Sequence, residues 1–135
     1  MAVKVLDSWA LMALFNDEPA AGEVEKLLMK ADAGSHDLLM TVINWGEIYY
    51  SIMRGASQEL AEQHAREIHA MPIDLVPVKE DLALVRQAAI FKASRKLPYA
   101  DAFAAGLAKL RNAELVTGDR DFEAVEDEIK ITWLS

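Results

Sequence analysis

Four acidic residues end or closely follow four separate apolar stretches of the chain. Asp7 follows VKVL, Glu47 follows LLMTVINWG, Asp101 sits within LPYADAFAAG, and Asp119 follows LVTG, with Asp121 two residues on. Acids are abundant, 22 of 135 residues, so their type alone carries little information and their position carries most of it. Carboxylates brought together repel one another, and protonation or a bound cation must relieve them. Hard oxygen ligands without imidazole or thiolate favour Mg²⁺ or Mn²⁺ over zinc. Ions held in this way polarise phosphoryl oxygens and activate water, in some enzymes as a pair about 3.5–4 Å apart. The pattern therefore points to metal-assisted cleavage of a phosphodiester. Each acid also has a purely local reading. Asp7 fits a helix N-cap, and Asn44-x-x-Glu47 fits a variant of the capping box. Asp101 complements a helix dipole, and Asp119 suits a turn. A cap, however, needs no agreement among distant segments, and a charge on a helix as apolar as the one around Asp101 needs a partner.

Other chemistries lack their residues. There is no cysteine, which removes disulfides, thiolate zinc sites and thiol nucleophiles. The six glycines form neither a GxGxxG nor a P-loop, and no serine lies in a GxSxG elbow. His36, His64 and His69 form no HExxH pair. A receiver-type phosphoaspartyl site would need paired acids after the first strand, where Asp7 stands alone, and a lysine after the last, where Thr117 is followed by Gly-Asp. A DxD phosphatase fails likewise, because Ser8-Trp9 follows Asp7.

These acids reach one place only if the chain folds as alternating strands and helices, and its apolar runs are arranged that way. Strands are expected at residues 2–6, 37–41, 72–78, 114–117 and 129–133. Helices are expected at 9–15, from Pro19 to about Gly34, at 44–54, 57–70, 80–94 and 98–111. Such alternation implies a mainly parallel sheet covered on both faces, with ligands beyond the carboxyl ends of its strands. No repeat or linker interrupts the 135 residues, so one domain over 1–135 is expected. No apolar stretch is long enough to span a membrane. Lys4 and Asp7 break the region a signal peptide would need, so a soluble cytoplasmic protein is expected.

Taken in order, the acid-bearing strings resemble the PIN-domain ribonucleases, most closely the small VapC-type toxins of bacterial toxin–antitoxin pairs. Val5-Leu-Asp-Ser8, Thr41-Val-Ile-Asn-Trp-Gly-Glu47, Leu97-Pro-Tyr-Ala-Asp101 and Leu115-Val-Thr-Gly-Asp-Arg-Asp-Phe122 cover the four elements of that family at its usual spacing, across essentially the whole chain. The resemblance implies a three-layer α/β/α sandwich with a mainly parallel five-stranded sheet. It implies Asp7, Glu47, Asp101 and Asp119 as catalytic and metal-holding acids, with Ser8, Thr117 and Asp121 in support. The implied reaction is Mg²⁺- or Mn²⁺-dependent endonucleolytic cleavage of single-stranded or loop RNA, leaving a 5′-phosphate and a 3′-hydroxyl. The implied role is a translation-inhibiting toxin with a cognate antitoxin partner and a homodimeric state. A housekeeping RNA-processing nuclease, or a non-catalytic RNA- or protein-binding module of the same fold, are the competing readings.

The net charge of −8 sets a problem for such a role, because proteins that hold nucleic acid are usually basic. Residues 82–100 carry Arg86, Lys92, Arg95 and Lys96 and no acid, and lead directly into Asp101. They are candidate RNA contacts, although a solvated helix face explains them equally well. Arg54 and Arg120 are weaker candidates. Trp9, Trp45 and Tyr99 adjoin candidate site residues and are able to stack bases. Trp45, Tyr49 and Tyr50 near Phe15 would suit an apolar groove for an antitoxin helix.

Overall fold

The computed structural model describes residues 2–135. Five short strands, β1 (Ala2–Leu6), β2 (His36–Thr41), β3 (Ile73–Val76), β4 (Glu114–Thr117) and β5 (Lys130–Trp133), form one sheet in the order β3-β2-β1-β4-β5. Every neighbouring pair is parallel. Parallel neighbours need crossovers, and the helices supply them: α1 (Ser8–Phe15) and α2 (Ala21–Asp32), then α3 (Val42–Gly55) and α4 (Gln58–His69), then α5 (Ala83–Arg95) and α6 (Tyr99–Leu110). The last crossover is only a 3₁₀ helix, Arg120–Val125.

The period-2 alternation of the strands sorts the core into two halves. Leu6, Leu38, Met40 and Val116 face the side covered by the first four helices, where Leu11, Val24, Ile48 and Ile52 meet them. Val5, Leu39 and Leu115 face the other side, against Phe91, Phe103, Leu107 and Phe122. The result is three layers, α/β/α, with a sheet that is wholly rather than mainly parallel. Each fully buried Leu, Val or Phe contributes roughly 1.5–3 kcal/mol of transfer free energy, so two such half-cores hold the sheet from both faces. In α6 the residues from Asp101 to Ala108 are all buried, which its run of alanines and Gly106 permits. A Cβ on Gly106 would lie 3.3 Å from the Ala88 backbone nitrogen, so the glycine sets how closely α5 and α6 approach.

Helix starts differ from the sequence expectation by one to three residues, and two of the shifts have a cause in the capping geometry. The fifth helix begins at Ala83 rather than near Glu80, because Leu82 takes a left-handed φ of 65° and Asp81 accepts from the Ala83 N–H at 3.1 Å. The third begins at Val42, capped by Thr41 rather than by Asn44. No helix among the described residues is long and apolar enough to cross a membrane.

The chain leaves β1 toward β2 and returns after α6 to β4 on the other side of β1. This reversal opens a crevice at the carboxyl ends of β1 and β4, the place where open parallel sheets bind ligands.

Candidate functional site

Asp7 directly follows β1 and Thr117 ends β4, so the parallel register of these neighbours brings the two side chains together. The Thr117 hydroxyl donates to Asp7 Oδ2 at 2.6 Å, and the Ala10 N–H donates to Asp7 Oδ1 at 3.1 Å. Asp7 is thus the N-cap of α1, as its local reading required, and a member of the crevice as well. The Thr117 oxygen also accepts from the Asp119 N–H at 3.0 Å, so one hydroxyl ties the first acid to the turn that carries the last.

The capping-box reading of Glu47 fails, and the failure is informative. Thr41 caps α3 by accepting from the Asn44 N–H at 3.0 Å, and its hydroxyl donates in turn to Asn44 Oδ1. Glu47, one turn further, is left free to face α1, where the Ser8 hydroxyl donates to its Oε1. Asn44 is fully buried, and its Nδ2 donates to the carbonyl of Ala100 at 3.1 Å. That bond joins the start of α3 to the start of α6, beside Asp101. As a linker between the two helices, Asn44 escaped the sequence reading, which saw in it only a cap. Its burial and its partner at Ala100 come only from the fold, so the sequence held no signal for this role.

Asp101, Asp119 and Asp121 each place a carboxylate oxygen within 4.8 Å of the others. Asp121, expected only in support, reaches this group because Asp119 caps the 3₁₀ helix: the Asp121 N–H donates to Asp119 Oδ1 at 3.0 Å and folds the next acid back. Asp7 and Glu47 lie outside the triplet but within its field. Burial pushes the Asp7 carboxyl up to about 7; its hydrogen bonds from Thr117 and Ala10 oppose the rise, and the charges of Asp101 and Asp119 add to it. Asp101 is also raised to about 7, first by burial and then by Asp119, Glu47 and Asp121. No hydrogen bond offsets its burial, although it is only 6% exposed. Such a carboxylate, converging with two others of hard oxygen character, is what a divalent cation would satisfy. Asp101, Asp119 and Asp121 fit that ion directly, and each oxygen of Asp7 keeps a lone pair beyond its one hydrogen bond.

An aromatic ring packs beside the turn that carries Asp119. The Trp9 indole lies against Gly118, so closely that a Cβ there would come within 2.3 Å of the ring. Trp45 stacks on Tyr49 with ring centres 5.5 Å apart, and Phe15 stacks on the His64 ring at 4.0 Å. The basic strip divides. Arg95 is committed to Asp127 at 3.0 and 3.1 Å and to Glu128 at 2.7 Å, with Lys109 joining Glu128 at 2.6 Å. It is therefore not an open cation. Arg86, Lys92 and Lys96 enter no ion pair among the described residues.

Comparison with known proteins agrees with this architecture. The sequence model of the PIN domain family matches residues 4–128. No curated protein sequence matches the chain significantly. Among solved structures, the chain is similar to VapBC2 from Rickettsia felis bound to a promoter DNA fragment, at 13% identity and a TM-score of 0.75, over 98% of this chain and 99% of that one. It is similar to DNA-bound VapBC from Salmonella typhimurium at 18% identity and a TM-score of 0.74, over 98% of both chains. It is also similar to VapC20 from Mycobacterium tuberculosis, a toxin that cleaves the sarcin–ricin loop, at 19% identity and a TM-score of 0.70, over 90% of this chain and 94% of that one. At these identities the structural likeness speaks to the fold. The match over nearly the whole sequence and the shared architecture lead to one assignment: the chain belongs to the PIN domain family.

Proposed function

We propose that this protein is a Mg²⁺- or Mn²⁺-dependent endoribonuclease and the toxin of a toxin–antitoxin pair, acting in the cytoplasm. The observation that carries the nuclease reading is the convergence of Asp101, Asp119 and Asp121, with Asp7 and Glu47 beside them, at the carboxyl edge of a PIN-type sheet. When bound, a divalent cation supplies positive charge to the oxygens of the scissile phosphate and activates the water that hydrolyses it. The protein's part is to hold that charge in place. Asp101, Asp119 and Asp121 bind it, and Asp7 and Glu47 complete the negative pocket. Ser8 orients Glu47, Thr117 orients Asp7, and Asn44 fixes the start of α6 so that Asp101 faces the other acids.

The toxin reading rests on the VapBC and VapC structures to which the fold is similar. An antitoxin helix would dock near Phe15, Trp45 and Tyr49 and insert an Arg or Lys among the acids, since a guanidinium pairs bidentately with carboxylates. The homodimer belongs to the same reading.

The test is to incubate the purified protein with total bacterial RNA and Mn²⁺ and to map new 5′ ends. New 5′-phosphate ends are expected, absent with chelator and absent in Asp101→Asn. If intact protein with either Mg²⁺ or Mn²⁺ produces none, the nuclease reading is wrong. If cleavage occurs but expression without an adjacent partner gene leaves growth unaffected, the toxin reading fails alone.

A further inference from the structure

Because the acid cluster repels a polyanion, the open cations nearest to it govern how a phosphate approaches. Arg95 is already spent on Asp127 and Glu128. Arg120 is placed differently. It lies in sequence between Asp119 and Asp121, two of the three converging acids. Its guanidinium carbon stands 4.5 Å from the centre of the Trp133 ring. Trp133 ends β5, opposite Thr117 in the parallel register, so it lies one strand spacing, about 5 Å, outward from β4. The indole is itself anchored, its Nε1 donating to Glu126 Oε2 at 3.3 Å.

The Arg120 side chain is 66% exposed, and the one carboxylate within ion-pair distance among the described residues, Glu123, is 4.0 Å away. That is well beyond the roughly 2.7–2.9 Å of a charge-assisted hydrogen bond. The guanidinium is therefore held over the indole, while its N–H groups donate no hydrogen bond among the described residues. A guanidinium held over an aromatic ring with its donors free is pre-organised for a phosphate, because that contact limits the rotamer freedom lost on binding.

We propose that Arg120, held on Trp133, is a phosphate-binding residue that receives the RNA strand on the β5 flank of the acid cluster. The proposal rests on the nuclease reading and assigns the substrate's path across that site. It adds Arg120 to the unpaired Arg86, Lys92 and Lys96 as a cation that offsets the acidity of this edge, in place of the committed Arg95.

The experiment measures binding of a fluorescein-labelled single-stranded RNA 12-mer of mixed sequence as a function of salt, in an Asp101→Asn background that is expected to bind without cutting. Adding Arg120→Ala should weaken binding about tenfold and reduce the slope of log K against log salt by about 0.7, the value of one phosphate contact on a single strand. Arg120→Lys should restore the slope but only part of the affinity, since lysine keeps the charge and loses the stacked fork. Trp133→Leu should keep the slope and weaken binding about threefold, the loss of one modest cation–π contact. With Asp101 intact, Arg120→Ala should raise KM more than it lowers kcat and should not weaken Mn²⁺ binding measured by calorimetry. Unchanged affinity and slope in Arg120→Ala would overturn the proposal. So would weakened Mn²⁺ binding with no recovery of slope by lysine, which would make Arg120 a brace for the acid turn. A parent protein that binds no RNA at any salt would refute the nuclease reading itself, and the proposal with it.

Discussion

The Asp7 carboxylate gives one oxygen to the start of α1 and the other to the Thr117 hydroxyl, so its capping and crevice roles coexist in one side chain. Asp101 has no such compensation and is held up near 7 by burial and by three neighbouring acids. Asp101→Asn should abolish RNA cleavage and Mn²⁺ binding, yet the metal-free variant should melt no lower than wild type at pH 8, because it removes a charge that the fold disfavours there. Calorimetry and a thermal melt in chelator check both halves, and a clear drop in melting temperature would mean that Asp101 is structural. Asp7→Asn should also lose cleavage while keeping its fold, since asparagine caps helices as well as aspartate does. Asn44→Ala strips the Ala100 carbonyl of its side-chain donor and leaves the Thr41 hydroxyl without its acceptor. A loss of about 1–3 kcal/mol in urea unfolding is expected, together with weaker Mn²⁺ binding as the start of α6 loosens. Normal metal affinity in that variant would remove Asn44 from the site's support.

Between elements, the junction of α1 with β4 depends on the absence of a side chain at position 118. The Trp9 ring occupies the space a Cβ would need, with ring atoms at 2.3, 2.5 and 2.6 Å. Gly118→Ala must displace either the indole or the turn that carries Asp119, and overpacking of this kind costs about 1–3 kcal/mol. Because the two residues share one space, their effects should not add. Trp9→Leu combined with Gly118→Ala should recover a substantial part of the loss, read by urea unfolding of all four members of the cycle. Simple additivity would show that the contact does not set the junction. The ion network of Arg95, Lys109, Asp127 and Glu128 acts at the same scale, tying α5 and α6 to the segment before β5. Its exposed pairs are worth little individually, so its effect is one of position: it turns Arg95 toward the segment before β5.

For the whole molecule, the acids make stability depend on pH and on metal. Asp7 and Asp101 both have folded-state values near 7, above the ordinary 3.8. Between about pH 4 and pH 7 the folded state therefore binds more protons than the unfolded chain, and stability falls as pH rises through that window. The opposite contributions of Glu67 and Glu128, whose carboxyls are lowered by His64 and Lys109, are lost only at lower pH. Metal-free protein should consequently melt higher at pH 5.5 than at pH 8, by roughly 3 °C or more for a chain of this size. Millimolar Mn²⁺ should raise the melting temperature at pH 8 and do so less at pH 5.5, where protons already neutralise the site. A melting temperature indifferent to both pH and Mn²⁺ would show that the acids do not form a coupled cluster.

Much of this protein was determined locally and could be read from the chain. The alternation of apolar runs with helical patterns specifies crossovers, crossovers specify parallel strands, and a parallel sheet brings Asp7, Glu47, Asp101 and Asp119 toward one edge although they span most of the sequence. What the chain could not disclose depends on contacts between distant segments. Only folding showed that Thr41 rather than Asn44 caps α3, which frees Asn44 to reach Ala100 and Glu47 to reach Ser8. Asp121 joins the converging acids because a 3₁₀ turn, too short to leave a periodic signature, folds it onto Asp119. The basic residues carried the least information of all. Arg95 and Arg120 are the same side chain in sequence, and they part company because one meets Asp127 and Glu128 while the other meets the face of Trp133. A cation's partner is set by where the fold delivers the opposite charge, and no local pattern encodes that.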